Sequence, residues 1–342
     1  MSDLRPSGVE LDGAAQLLAS ARARLSAAAA DLGVADERRL SDRQRHIVRS
    51  IAGRLVRAIE DELRTALAES LEGDALRAAL TSSRVEIALP ILLAAGALNT
   101  AALVEILLRR AEEHRLHRAG SENALLIDLA GDSDEALASE AMGLLIGQSS
   151  RVDSFGDPVL ARADLPAELE HRLVWSVAAA LRRYALERHR ADPPAVDEAL
   201  SAAAVRLLAG YDEGDGFQAR ALRLARRLRD TGRLDDAITV RALGEGGLPL
   251  FLAMLSVRTG LDATAVWQLH LSGSPRGTAL LLRAAAIGRE DAGAILVALG
   301  AEEAQLLEQL TAYDGASEAE ARRLLTLWAA DPGYRDAVAS LA

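Results

Sequence analysis

An all-α fold is predicted by three features of the sequence. Half of the residues are hydrophobic but only 3% are aromatic, with alanine throughout, a composition that suits closely packed helices better than strands. Apolar residues recur at three- and four-residue spacing along most of the chain, and strand-type alternation is absent. Helix-starting residues and glycine or proline breaks punctuate these runs at short intervals.

The first strong element follows Ser41, which forms a capping box with Gln44. Ile47, Ile51, Leu55, Ile59, Leu63, Leu67 and Leu71 then repeat every fourth residue, a continuous apolar ridge that makes this long helix a spine for the N-terminal part. Next comes "SSRVEIALPILLAAGALN", Ser82 to Asn99. Ser83 and Glu86 form a second capping box, and Pro90 falls inside the helix that this box would start. A proline there cannot donate to the carbonyl one turn back and costs about 3 kcal/mol in a regular helix, so a structural kink at Pro90 is expected. The uncharged run from Ile87 to Val104 approaches the ~18 to 20 residues of a membrane span. Pro90, Gly96, Asn99 and Thr100 interrupt it, and no span is predicted.

After the Gly96–Asn99 turn, Thr100 is placed to cap a return helix with Leu103, Ile106, Leu107 and Arg110 on one face. A similar pair follows in "NALLIDLAGDSDEALASEAMGLL", its second helix capped by Asp132 with Glu135. Helix pairs that are apolar on both flanks cannot bury themselves alone, so they are expected to stack as an α-solenoid of antiparallel pairs. This resembles HEAT-type repeats, whose first helix is often bent at a proline.

The Ser-, Gly-, Asp- and Pro-rich stretch "GQSSRVDSFGDPVLARADLP" reads as a boundary. Four segments are therefore expected: 1–39, a helix and linker; 40–147, a HEAT-like helical module; 148–165, a linker; and 166–342, a second helical module. The second module opens with a helix from Pro166 to Arg190 and breaks at Pro193–Pro194. Its last helix pair begins at a capping box of Ser317 and Glu320.

Charge and missing residue types narrow the chemistry. The formal charge is -11, and all 39 basic residues are arginine, so Schiff-base and phosphate-loop lysines are excluded. The absence of cysteine excludes disulfides, thiolate metal sites and cysteine nucleophiles together. The start "MSDLRPSGVELDG" has no basic segment before an apolar one, and a bacterial cytoplasmic location is expected.

"LSDRQRHIVRSIAGRLVRAIEDELRTALAE", "VEIALPILLAAGALNTAALVEIL", "RADLPAELEHRLVWSVAAALRRY" and "LDDAITVRALGEGGLPLFLAMLSVRTGL" occur in the order that resembles the bacterial family called domain of unknown function 2336. The resemblance runs from about Leu40 to Leu299. It implies a helical fold in a bacterial cytoplasm and supplies no catalytic residues.

Each candidate for chemistry has a plainer reading. His114 and His117 stand one turn apart, a spacing that can place two imidazoles on one metal, but no third ligand is near in sequence and the flanking charges suggest a solvated helix end. Glu168 and His171 form a Glu-x-x-His pair that a di-iron bundle would need twice. "YDEGDGF", registered on Gly216 as a calcium loop, puts Tyr211 and Leu222 where carboxylates belong, so it is read as an acidic turn capping the next helix. "GEGG" at 244–247 follows a helix instead of a strand, contrary to a phosphate-binding loop. Phe251, Trp175, Trp267 and Trp328 are expected as core or interface anchors.

One feature stands against the acidic background. Arg220, Arg223, Arg226, Arg227, Arg229 and Arg233 gather on a predicted helix as a candidate contact for phosphate or an acidic partner, with "LRRYALERHR" before them. No aromatic interleaving suggests base stacking. The expected function is therefore a non-catalytic protein-protein interaction scaffold or adaptor with a regulatory role, binding an unidentified protein and no cofactor, metal or membrane. The alternative is a nucleic-acid-binding helical-repeat protein that uses the arginine-rich helix.

Overall fold

A computed structural model describes residues 42–70, 74–82, 85–119, 123–271 and 275–341. These residues form seventeen α-helices and no strand; one isolated antiparallel bridge joins Val152 and Pro158. The all-α expectation holds. Residues 1–39, Ser41, Leu71 and Ser83 lie outside the described residues, and with them the expected N-terminal helix, the Ser41 and Ser83 caps and the end of the ridge.

Two compact units emerge, each drawn from separate stretches of the chain. Among the described residues the first holds 42–111 with 148–217, and the second 112–147 with 218–341. The expected division at a 148–165 linker does not describe this packing. That stretch buries Arg151, Leu160 and Leu165 and is part of the first unit's core.

The spine of the first unit is α1 (Asp42–Ser70), against which α2 (Asp74–Thr81), α3 (Ala88–Ala94), α7 (Ala167–His189) and α8 (Pro193–Ala209) all pack. Ile51, Leu55, Ile59, Leu63 and Leu67 are buried as the four-residue ridge predicts. A second ridge beside it, Val48, Ala52, Val56, Glu60, Arg64 and Ala68, is buried too. Its two charged members are 3% and 5% exposed.

Glu60 and Arg64 organise the chain that passes over them. The Arg64 guanidinium donates to four carbonyls, those of Leu80 at 2.7 Å, Ala79 at 2.8 Å, Ser82 at 2.6 Å and Val85 at 2.8 Å. It thereby satisfies the carbonyls that α2 leaves open at its C-terminus. Glu60 accepts from Arg64 at 3.1 Å and from the amides of Ile87 at 3.1 Å and Ala88 at 2.9 Å. Helix α3 starts where those amides are held.

This corrects the expected kink. Helix α3 begins at Ala88, so Pro90 is its third residue and sits exposed in the first turn. There its missing amide is one that no helix carbonyl would have accepted, and its fixed φ suits helix entry. Two amides captured by a distant buried carboxylate mark the start of this helix. Glu86 itself pairs with Arg57.

In the second unit, α11 (Leu248–Thr259) is buried at every position from Leu248 to Ser256. It contacts α12 (Ala263–Leu271) and α13 (Pro275–Ala284), and α13 packs on α15 (Glu303–Asp314) and α16 (Glu318–Leu324). Phe251, Trp267, Tyr313 and Trp328 fill this core. The Ser317–Glu320 capping box forms as predicted, with both reciprocal bonds present. The return helix after Gly131, α6 (Glu135–Ser149), is capped by Asp134 and not Asp132, since Asp134 accepts the Ala136 and Leu137 amides. Among the described residues no single helix is long and apolar enough to cross a membrane.

Glu60→Ala is expected to destabilise the protein by about 3–5 kcal/mol, because it strands a buried guanidinium and two amides. Pro90→Ala should stay within about 1 kcal/mol of the parent, as a tolerated first-turn exchange. Urea unfolding at neutral pH compares the two, and an equally large loss for Pro90→Ala would contradict the placement of the helix start.

Candidate functional site

The arginine cluster lies in the second unit on α9 (Phe217–Asp230) and just beyond it. Ala221, Leu224, Ala225 and Leu228 form the buried face of this helix, which leaves the arginines on its remaining circumference. Arg233 is not helical. It follows the turn at Gly232, whose φ of +69° ends the helix in the left-handed region.

Half of the cluster is bonded to carboxylates supplied by α6 and the turn before it. Arg223 reaches Glu140 at 3.1 and 3.2 Å, and Arg227 grips both oxygens of Asp134 at 2.9 and 2.8 Å. Arg233 donates to Asp132 at 2.6 Å. Arg220 lies against Gly143, where an added Cβ would come within 3.6 Å of its guanidinium. The ladder continues past α10 (Asp236–Arg241), where Arg241 bridges Asp128 and Glu245, each at 2.7 Å. Of the six predicted residues, Arg223, Arg226 and Arg229 are exposed; Arg223 is held by Glu140, whereas Arg229 pairs with its neighbour Asp230 at 2.9 Å. The cluster is thus mainly an internal clasp between two stretches of one unit.

Charge pairing perturbs the carboxylates. Asp134 is held below the usual carboxylate range, first by the Arg227 hydrogen bond and then by the Leu137 amide. Asp132 is lowered by the amide of Asp134 and by Arg233. Both ionised forms are favoured in the folded chain.

The remaining candidates separate. His114 is buried and His117 exposed, so the pair does not share an environment, which corrects the expectation of two surface histidines. No group of three or more His, Asp or Glu side chains that could hold a metal occurs among the described residues. Glu168 and His171 are exposed on the first turns of α7, where the Trp175 indole donates to His171 Nε2 at 3.1 Å. Trp175 is only half-buried beside them and belongs to a shallow hollow with Arg172, Ser176 and Ala179; it is not core.

The acidic turn before α9 is structural. Tyr211 donates to the Leu165 carbonyl, and burial together with Glu213 and Glu170 raises its phenol to about 12. The Phe217 amide goes to Asp164 at 2.8 Å, so this carboxylate takes the capping role expected of the turn itself. Gly216 must be glycine, because a Cβ there would lie 2.5 Å from the Ala163 carbonyl. The first three residues of "GEGG" fall in a π-helical turn, Ala242–Gly246, and Gly247 leads from it into the buried α11. Sequence reasoning missed Glu60, Arg64 and the carbonyl-binding arginines, for which adjacent residues carry no signal.

Lowered folded pKa values make the ladder's contribution one that is present above the ordinary carboxyl range, near pH 4, and lost as pH falls through the folded values. Asp134→Asn, which keeps a capping side chain, should therefore be less stable than the parent at pH 7, with the gap closing below about pH 3. Urea midpoints across this range test it, and a constant gap would contradict the ionic origin.

No curated protein and no solved structure matches the chain. Residues 118–326 do match a family model, that of an uncharacterised protein conserved in bacteria, DUF2336. The match begins later than the resemblance from Leu40, leaving two of the four carrying segments before it, and extends beyond Leu299. Covering more than half of the chain, it establishes that the protein belongs to the domain of unknown function 2336 family.

Proposed function

We propose that this chain is a non-catalytic protein-interaction scaffold or adaptor with a regulatory role in a bacterial cytoplasm, its helix pairs acting as HEAT-like repeats of an α-solenoid. The observation that carries this reading is the outer face of α6. Met142 and Ile146 are one turn apart and 43% and 63% exposed, although the same helix buries Leu137, Ala141 and Leu144. A helix apolar on its solvent face as well as its core face offers a surface for a further protein.

The nucleic-acid alternative has less support from the geometry. An arginine already bonded to carboxylate must give up that partner before it neutralises a phosphate, and Arg223, Arg227 and Arg233 are all so bonded. Arg226 and Arg229, exposed on a chain of charge -11, make a small electrostatic footprint.

Affinity capture of the tagged protein from its host, with cross-linking and nuclease treatment, is expected to return stoichiometric, nuclease-resistant protein partners whose capture falls when Met142→Glu is introduced. A salt-sensitive mobility shift with DNA or RNA and no protein partner would overturn the scaffold reading.

A further inference from the structure

The surface loop of the first unit between Val152 and Pro158 is built with unusual care for a segment that holds no core. Its stem is closed by the Val152–Pro158 bridge and held by Arg110, itself 4% exposed, which donates to the carbonyls of Arg151 and Val159. Its tip is tied by Asp153, whose carboxylate accepts the amides of Phe155 and Asp157, each at 2.9 Å. The Asp153 amide donates to the Asp157 carbonyl at 2.9 Å, and Gly156 turns the chain at a φ of +79°. From α1, Arg54 joins both ends of the turn, reaching Asp153 at 3.0 Å, Asp157 at 2.5 Å and the Pro158 carbonyl at 3.2 Å.

All of this holds out one side chain. Phe155 is 90% exposed, in a chain with three phenylalanines, and the turn places no demand on it that a small polar residue would not meet. We propose that Phe155 is the anchor of a protein-docking site, a phenyl ring held on a pre-formed loop that enters an apolar pocket with a basic rim on a protein partner. Pre-formation spares the ordering cost that a loose loop would incur on binding, and a single aromatic in a desolvated pocket can dominate an interface. The basic rim follows from charge. Two carboxylates and one guanidinium form the loop base, and Asp157 is the more exposed, at 57% against 25% for Arg54. The same excess, with a net charge of -11, opposes insertion into an anionic bilayer.

This inference rests on the scaffold reading and names one of its contacts. A photo-reactive benzoylphenylalanine placed at position 155, and separately at Met142, tests it in the native host. The result expected is an adduct between position 155 and one protein. Once purified, that protein should bind Phe155→Ala at least ~10-fold more weakly than the parent, bind Asp153→Ala with an intermediate loss, and weaken as salt is raised. An unchanged melting temperature for Phe155→Ala shows that the loss is not unfolding. Equal affinity of parent and Phe155→Ala, or an adduct from position 155 to lipid or to a second copy, overturns the proposal. A protein adduct from Met142 alone overturns it and leaves the scaffold reading standing, whereas no protein adduct from either position removes both.

Discussion

A chain cut into short helices leaves a large number of backbone carbonyls with no partner inside their own helix, and this constraint governs much of the structure. Arginine side chains meet it. Arg64 binds the carbonyls at the end of α2, Arg77 one at the end of α1, and Arg162 that of Leu207 near the end of α8. Arg258 and Arg322 share the end of α13, and Arg283 takes the Ala316 carbonyl after α15. Arg335, 1% exposed, does the same for Trp328. A guanidinium offers five donors in a fixed fork, and a lysine ammonium could not span three or four carbonyls from one position. The absence of lysine from the chain is compatible with a fold that uses arginine for this geometric work.

The Glu60–Arg64 pair shows the energetic logic. Taking both ions out of water is costly, and the salt bridge alone would not recover that cost. Four carbonyls and two amides complete the bonding of the pair, so the charges become the device that orders the turn between α2 and α3. At the surface the same side-chain chemistry has a different weight. Each rung from Arg223 to Arg241 is partly solvated and contributes little by itself. Together the rungs fix which stretches of the second unit lie side by side.

Function then falls to what these internal bonds leave over. Carboxylates occupy much of the charged surface that first suggests a nucleic-acid site, and the exposed apolar side chains become the informative features. Met142 and Ile146 stand on a helix face, and Phe155 on a braced loop. Both motivate a protein-binding reading.

Local spacing determined a good deal of this protein by itself. The helical class, the four-residue ridge of α1, the helix from Ala167 to His189 and the Ser317–Glu320 box all follow from neighbours within one or two turns. Asp134, two residues from the predicted cap, and Trp175, half-buried on α7, show the limit of that resolution. Tertiary structure alone decided where α3 begins, that residues 148–165 are packed, and that the arginine cluster is largely an internal clasp. In each case the deciding partner is remote in sequence: Glu60 is 27 and 28 residues from the amides it holds, and Arg223 and Arg233 are 83 and 101 residues from their carboxylates. A residue's periodicity reports which face of its helix it occupies, but the choice of bonding partner depends on how distant segments pack, and no local pattern encodes it.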